Sequence, residues 1–251
     1  MSLQACAEIV ERGDPDRFLA TMAAPPGARG VLFPLYAFNI EVSRAPWVTE
    51  EPMIAEMRLQ WWRDALDEIA AGGPVRSHEV TLELARVLDA PAARALDRTV
   101  AARRWDIYKD PFEDAAHFED YLDATAAELM WQAVRLLGGP VEAEHHVRRL
   151  GHGTGLVRFL QAVPELEARG RIPLVDGRAE AIRDLARASH RAMGRSGQLR
   201  GAVPSEARAG LLEGWQAPVL LRQISADPAR VAAGRVALSP FRKKLRLMRW
   251  A

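Results

Sequence analysis

The chain has 251 residues, 49% of them hydrophobic and 27% charged, and its formal net charge is +1. This composition predicts a folded core and excludes the strongly basic balance that would point to nucleic acid as a partner. The single cysteine, Cys6, excludes an internal disulfide framework. Neither a signal-like start nor an apolar run long enough to span a membrane is visible, so a cytoplasmic location is expected.

The predicted elements are helical nearly throughout. Asp14 and Pro15 predict a helix start, because they supply a cap and a proline suited to the first turn, and the run 25–27 predicts its end. The stretch 30–43 is apolar on nearly every face, which favours a helix at the centre of a bundle. Pro34 lies early in this stretch, where a proline is tolerated best.

The next helix is predicted to begin after Glu51 and to end at 72–74. Its residues Met53, Met57, Trp61 and Leu66 recur at helical spacing and predict an apolar stripe. Further helices are predicted over 77–89, 91–108, 114–137, 141–163 and from 178 onward, with a loop over 170–177 and breaks at 194–197 and 215–218. No solenoid repeat or polar linker divides the chain, so residues 1–251 are predicted to form one domain.

Several motifs could carry chemistry, but each has a structural interpretation that is favoured. Two groups of acidic residues are spaced so that they could bind Mg²⁺: Glu119, Asp120 and Asp123, and Asp64, Asp67 and Glu68. Both groups are expected to face water instead, and the second is expected to pair with Arg63. The glycine-rich run 151–155 follows no strand, so it predicts close helix packing rather than a phosphate loop. One Glu-x-x-His at 142–145 is too little for a di-iron site.

The segment 241–250 carries five cations with apolar residues between them. Two interpretations remain open: a peripheral contact with an anionic membrane, or a terminal helix with a solvated basic face.

Three segments carry a likeness to a known family. Tyr36-Ala37-Phe38 and the run 58–67, Arg-Leu-Gln-Trp-Trp-Arg-Asp-Ala-Leu-Asp, together with 150–171, resemble squalene and phytoene synthases. The resemblance implies an all-α, single-domain isoprenoid (terpenoid) synthase bundle with a central cavity. Active members use two aspartate-rich motifs to hold Mg²⁺ against diphosphate.

Both motifs are missing from this chain. The places of the first are held by Ser43, Arg44 and Trp47, and those of the second by Ala162 and Leu166. Clustered carboxylates are what a magnesium site requires, and Arg44 adds positive charge instead. The run 37–41, Ala-Phe-Asn-Ile-Glu, is similar to a motif-degenerate branch of the family that includes mitochondrial complex I assembly factors.

The resemblance therefore implies a non-catalytic scaffold that binds a protein partner or an isoprenoid-like lipid, located in the cytoplasm or peripherally at the inner membrane. The alternative is an active head-to-head prenyltransferase that uses displaced acids. No catalytic residue, metal ligand or cofactor is expected, and Mg²⁺ enters only with the alternative. The former substrate pocket is expected to be lined by Tyr36, Phe38, Asn39, Arg44, Arg58, Trp61, Arg158, Gln161 and Arg171. Within it, Arg44 is expected to pair with Glu41 one turn earlier.

Overall fold

The computed structural model describes residues 2–194 and 196–251, and every regular element in these ranges is helical, which confirms the all-α prediction. The helices are α1 Leu3–Gly13, α2 Pro15–Ala23, α3 Pro26–Arg44, α4 Pro52–Ala71, α5 Glu79–Leu84, α6 Ala90–Ala102, α7 Ala115–Leu122, α8 Glu128–Leu136, α9 Glu144–Ala168, α10 Ala179–Ala192, α11 Ser196–Ala202, α12 Ala217–Ala226, α13 Ala229–Ala232 and α14 Pro240–Trp250. Short 3-10 helices cover Ala45–Trp47, Arg103–Asp106, Val141–Ala143 and Ser205–Gly214, and a π-helical segment, Asp123–Ala127, joins α7 to α8. None of the described helices is both long enough and apolar enough to cross a bilayer.

Helix α3 lies at the centre of the bundle, as its uniformly apolar sequence predicts. Every residue from 32 to 40 is buried, and α3 packs against α1, α2, α5 and α8. The helix continues through Pro34 without interruption. Within it, Phe38 meets Trp62 of α4 edge to face, with ring centroids 5.5 Å apart.

The predicted apolar stripe of α4 is wrong for its first half. Met53 and Met57 are 76% and 66% exposed, whereas the buried face is formed by Ala55, Leu59, Trp62, Ala65, Leu66 and Ile69. These positions recur three or four residues apart and face α6. Met53 and Met57 each lie two residues before a buried position, roughly 200° around the helix, and so point away from the core.

Helix α9 runs through Pro164 to Ala168, one turn beyond the predicted end at 163. Its glycine run allows the π-helical segment to approach closely. A Cβ at Gly151 would lie 2.7 Å from the Cα of Ala127, and one at Gly155 would lie 2.5 Å from the Cβ of Ala126. The close-packing interpretation of this run is confirmed. The crossing fixes α9 as one wall of a central cavity.

Candidate functional site

A cavity of about 640 Å³ lies inside the bundle, between α3, α7, α9, α12 and the segment Ser205–Gly214. Apolar and aromatic side chains, including Trp47, Phe159 and Leu220, form part of its wall. Among the described residues, five acids and five arginines also line it. They are Asp14, Asp16, Asp106, Glu165 and Glu213, and Arg17, Arg44, Arg103, Arg158 and Arg169.

Four of these charges form a network, in which Arg17 and Glu213 are buried and Asp14 and Arg158 are partly exposed. Arg17 donates through Nε to Glu213 Oε2 at 2.7 Å, and the side chains of the pair are 4% and 2% exposed. The Asp14 carboxylate accepts hydrogen bonds from Arg158 Nη1 at 2.6 Å and from the backbone N–H of Arg17 at 2.9 Å. Burial would raise the pKa of Asp14, but Arg158 and Arg17 outweigh it, and the pKa lies below its ordinary value. The network is therefore charged and internally balanced.

Local sequence explains how the network is placed. Asp14 caps α2 and so fixes Arg17 one turn later, over the ring of Tyr36, whose centroid lies 4.8 Å from the guanidinium carbon. Burial raises the pKa of Tyr36 well above its ordinary value. Asp16 faces the cavity beside the network, yet both of its oxygens bond Lys243, at 2.8 and 2.7 Å.

A second cluster of buried polar side chains also lines the cavity. Arg103 Nη1 donates to the hydroxyl of Tyr121 at 2.8 Å, and that hydroxyl donates to Asp106 Oδ1 at 3.1 Å. Burial raises the pKa of Asp106, and the pairing with Arg103 offsets this only in part. Arg171 adjoins this cluster, and its Nη2 donates a hydrogen bond to the backbone carbonyl of Trp105 at 2.7 Å.

The remaining arginines of the lining lie farther out and are also paired. Arg44 lies 3.6 Å from Glu41, as expected from their spacing, although its side chain is 62% exposed. Arg169 binds Glu165 at 2.6 Å and lies over the ring of Trp47 at 4.8 Å.

The structure brings only part of the predicted pocket together. Four of the nine predicted residues line the cavity, namely Asn39, Arg44, Arg158 and Gln161. Tyr36 and Phe38 are buried in the core beneath it, and Arg171 is buried beside Trp105. Arg58 is exposed on α4, and Trp61 packs against Arg76 and His78.

Several of the acids singled out in the sequence pair with basic side chains. Glu119 pairs with His152 at 2.6 Å, and Asp123 pairs with Arg148 at 3.1 Å. In the second group, Glu68 pairs with Arg76 at 2.8 Å. The expected partner Arg63 instead binds Asp97, at 2.7 Å, on the neighbouring helix α6.

The donor set of the cavity does not fit magnesium. A Mg²⁺ site needs carboxylate oxygens that are free to converge on one point. The carboxylates here are bonded to arginine, lysine or tyrosine, and no group of three or more His, Cys, Asp or Glu side chains within residues 2–194 and 196–251 could hold a metal ion.

The sequence pattern indicates Arg158 but not the acids that pair with it. Asp14 reads in the sequence only as a helix cap, and no motif includes Glu213. A signal for Glu213 did exist, because it is the one charged residue in the apolar run 209–215. A lone charge in such a run predicts a buried partner.

Solved structures with the same fold are isoprenoid synthases. A dehydrosqualene synthase crystallised with a ligand superposes with a TM-score of 0.79 over 99% of this chain and 94% of its own, at 17% identity. Squalene synthase HpnC from Alicyclobacillus acidocaldarius superposes with a TM-score of 0.73 over 90% of this chain and 94% of its own, at 16% identity. At these identities the likeness establishes the fold alone.

Relatives by sequence carry a different name. The complex I assembly factor 6 homolog of Drosophila melanogaster is 30% identical over 185 residues, covering 68% of this chain and 53% of its own length. The human complex I assembly factor 6 is 25% identical over 170 residues, covering 66% of this chain and 51% of its own length. The chain thus spans about half the length of these curated relatives. The model of the squalene/phytoene synthase family matches residues 10–175, and the chain belongs to that family.

Proposed function

We propose that this chain is a non-catalytic member of the family that assists the assembly of a multisubunit respiratory enzyme of the complex I type. The observation that carries the proposal is the charge pairing inside the cavity. Ionising an allylic diphosphate needs positive charge on the leaving group, which the family's magnesium ions provide. Here Asp14 and Glu213 neutralise Arg17 and Arg158, so neither a metal ion nor a diphosphate finds a free counter-charge at the cavity base.

The names of the relatives support the assembly role. Those cited above are complex I assembly factors, and the region they share with this chain covers about two thirds of it. A scaffold of this kind acts through its outer surface, so the cavity need not turn over a substrate. Its open volume and aromatic wall favour lipid binding as a second candidate.

The first test is enzymatic. We expect no squalene- or phytoene-type product when the protein is incubated with farnesyl or geranylgeranyl diphosphate and Mg²⁺, as measured by mass spectrometry. An active squalene synthase assayed in parallel provides the positive control. A product that is formed here and lost in Asp16→Asn, which changes an acid of the cavity wall, would instead support the prenyltransferase alternative.

The second test is genetic. Deleting the gene in its own host should reduce assembled complex I on native gels, together with NADH:quinone reductase activity in membranes. We expect the wild-type chain and Ala162→Trp to restore both equally, because Ala162 lines the cavity and a tryptophan there would obstruct part of it. Unchanged complex I after deletion would contradict the assembly role. Rescue by wild type but not by Ala162→Trp would favour lipid binding in the cavity, provided that the variant melts at the same temperature.

A further inference from the structure

Helix α14 divides its side chains into two opposite faces. Lys243, Arg246, Leu247 and Trp250 point inward: Leu247 is 9% exposed, and Trp250 packs against the core. Both inward cations are bonded within the protein, because Lys243 binds Asp16 at 2.7 Å and Arg246 Nε donates to the carbonyl of Trp215 at 2.6 Å. These contacts hold α14 against α2 and the segment before α12.

The outward face has a centre of large apolar side chains. Phe241 is 75% exposed, Met248 is 77% exposed and Leu245 is 37% exposed. At about 100° per residue, Phe241 and Met248 lie within roughly 20° of one another around the helix, and Leu245 lies about 40° away. Three apolar side chains held in one row in water carry an energetic cost that a partner surface would remove.

Cations flank this apolar row on both sides. Lys244 lies on one side, Arg242 and Arg249 lie on the other, and all three are exposed. The sequence of α14 contains no acid.

We propose that the outward face of α14 docks on an anionic lipid bilayer, with Phe241, Leu245 and Met248 entering the interface and Arg242, Lys244 and Arg249 contacting headgroup phosphates. The arrangement is that of a helix lying in the plane of a membrane, where an apolar row is bordered by basic residues. The charge around the row favours an anionic surface over a neutral one, because only the anionic surface attracts the cations. Trp250 and Lys243 take no part, because both serve the protein interior. The proposal does not depend on the assembly role.

The test uses sedimentation with vesicles of phosphatidylcholine, with and without phosphatidylglycerol. The wild-type protein should bind only the anionic vesicles and should dissociate as salt is added. The substitution of Arg242, Lys244 and Arg249 by glutamine should weaken binding on the order of a hundredfold, since each cation near such a surface contributes about a fivefold factor. Phe241→Glu with Met248→Glu should abolish measurable binding.

The matched control changes two other exposed methionines. Met53→Glu with Met57→Glu alters side chains of similar exposure on α4 and should leave vesicle binding unchanged. Loss of binding in this control but not in the α14 pair would overturn the proposal. Equal binding to neutral vesicles would also overturn the proposal. So would the absence of vesicle binding by the wild-type protein, and the apolar row would then be a candidate contact surface for a protein partner.

A fluorescent label reports the docked face directly. The only native thiol, Cys6, is fully buried, and burial raises its pKa to about 12, so it should not react with a thiol-specific probe. An environment-sensitive probe on Met248→Cys should shift to the blue with anionic vesicles, whereas the same probe on Met53→Cys should not. The reverse pattern would refute docking through α14.

Discussion

Replacing Glu213 with alanine should lower the free energy of unfolding by about 3–5 kcal/mol, because it removes the nearer of the two carboxylates that pair with the buried Arg17 guanidinium and leaves only Asp14, 3.4 Å away. The Glu213 and Arg17 side chains are 2% and 4% exposed and lie 2.6 Å apart. Arg158, whose Nη2 lies 3.9 Å from the same Glu213 oxygen, would lose a second contact. Urea unfolding followed by circular dichroism measures the change.

Two controls separate the effect of burial from the effect of charge. Arg44→Ala removes one member of an exposed pair and should cost less than about 1 kcal/mol. The double replacement Arg17→Met with Glu213→Leu should recover most of the lost stability, since a buried ion pair is often replaceable by apolar side chains of similar size. If Glu213→Ala were as mild as Arg44→Ala, the network would contribute little to the fold.

Truncating Phe38 to alanine should cost about 3–5 kcal/mol, as large aromatic truncations in a packed core do. Phe38 is fully buried at the bundle centre and contacts Trp62, so its removal leaves a cavity that α4 cannot close without moving. Tyr36→Ala should cost a similar amount, because it also removes the ring beneath Arg17. Thermal and urea melts test both.

The matched control for this prediction is Phe241→Ala, the same chemical change on the outward face of α14. Phe241 is 75% exposed, so its truncation should alter stability by no more than about 0.5 kcal/mol. Equal shifts for Phe38→Ala and Phe241→Ala would mean that α3 is not the centre of the core.

The sequence is most informative where one residue type dominates all faces of a helix. The stretch 30–43 is apolar in every direction, so its burial did not depend on choosing a face. For α4 a face had to be chosen, and the larger Met53 and Met57 suggested the wrong one. The buried face begins instead with Ala55 and Leu59, and α4 packs against α6. The size of the side chains alone does not reveal which side of α4 packs against another helix.

The ion pairs of the cavity network could not be predicted from local sequence patterns, for a different reason. Arg17 meets Glu213 across 196 positions of sequence, and Asp14 meets Arg158 across 144. Spacing along one helix gives no information about pairs so distant. The Arg44–Glu41 pair, which is local, was predicted correctly. The interior electrostatics of this bundle therefore become visible only in three dimensions.

The pairing inside the cavity also bears on what a newly introduced acid would do there. By the resemblance, the places of the family's first motif are held by Ser43, Arg44 and Trp47, and the ring of Trp47 lies beneath Arg169. We expect an aspartate introduced at 47 alone to pair with that guanidinium rather than to remain free for a metal ion. A single acidic substitution at this position would therefore add one more ion pair, and a metal site in the cavity would require several substitutions together.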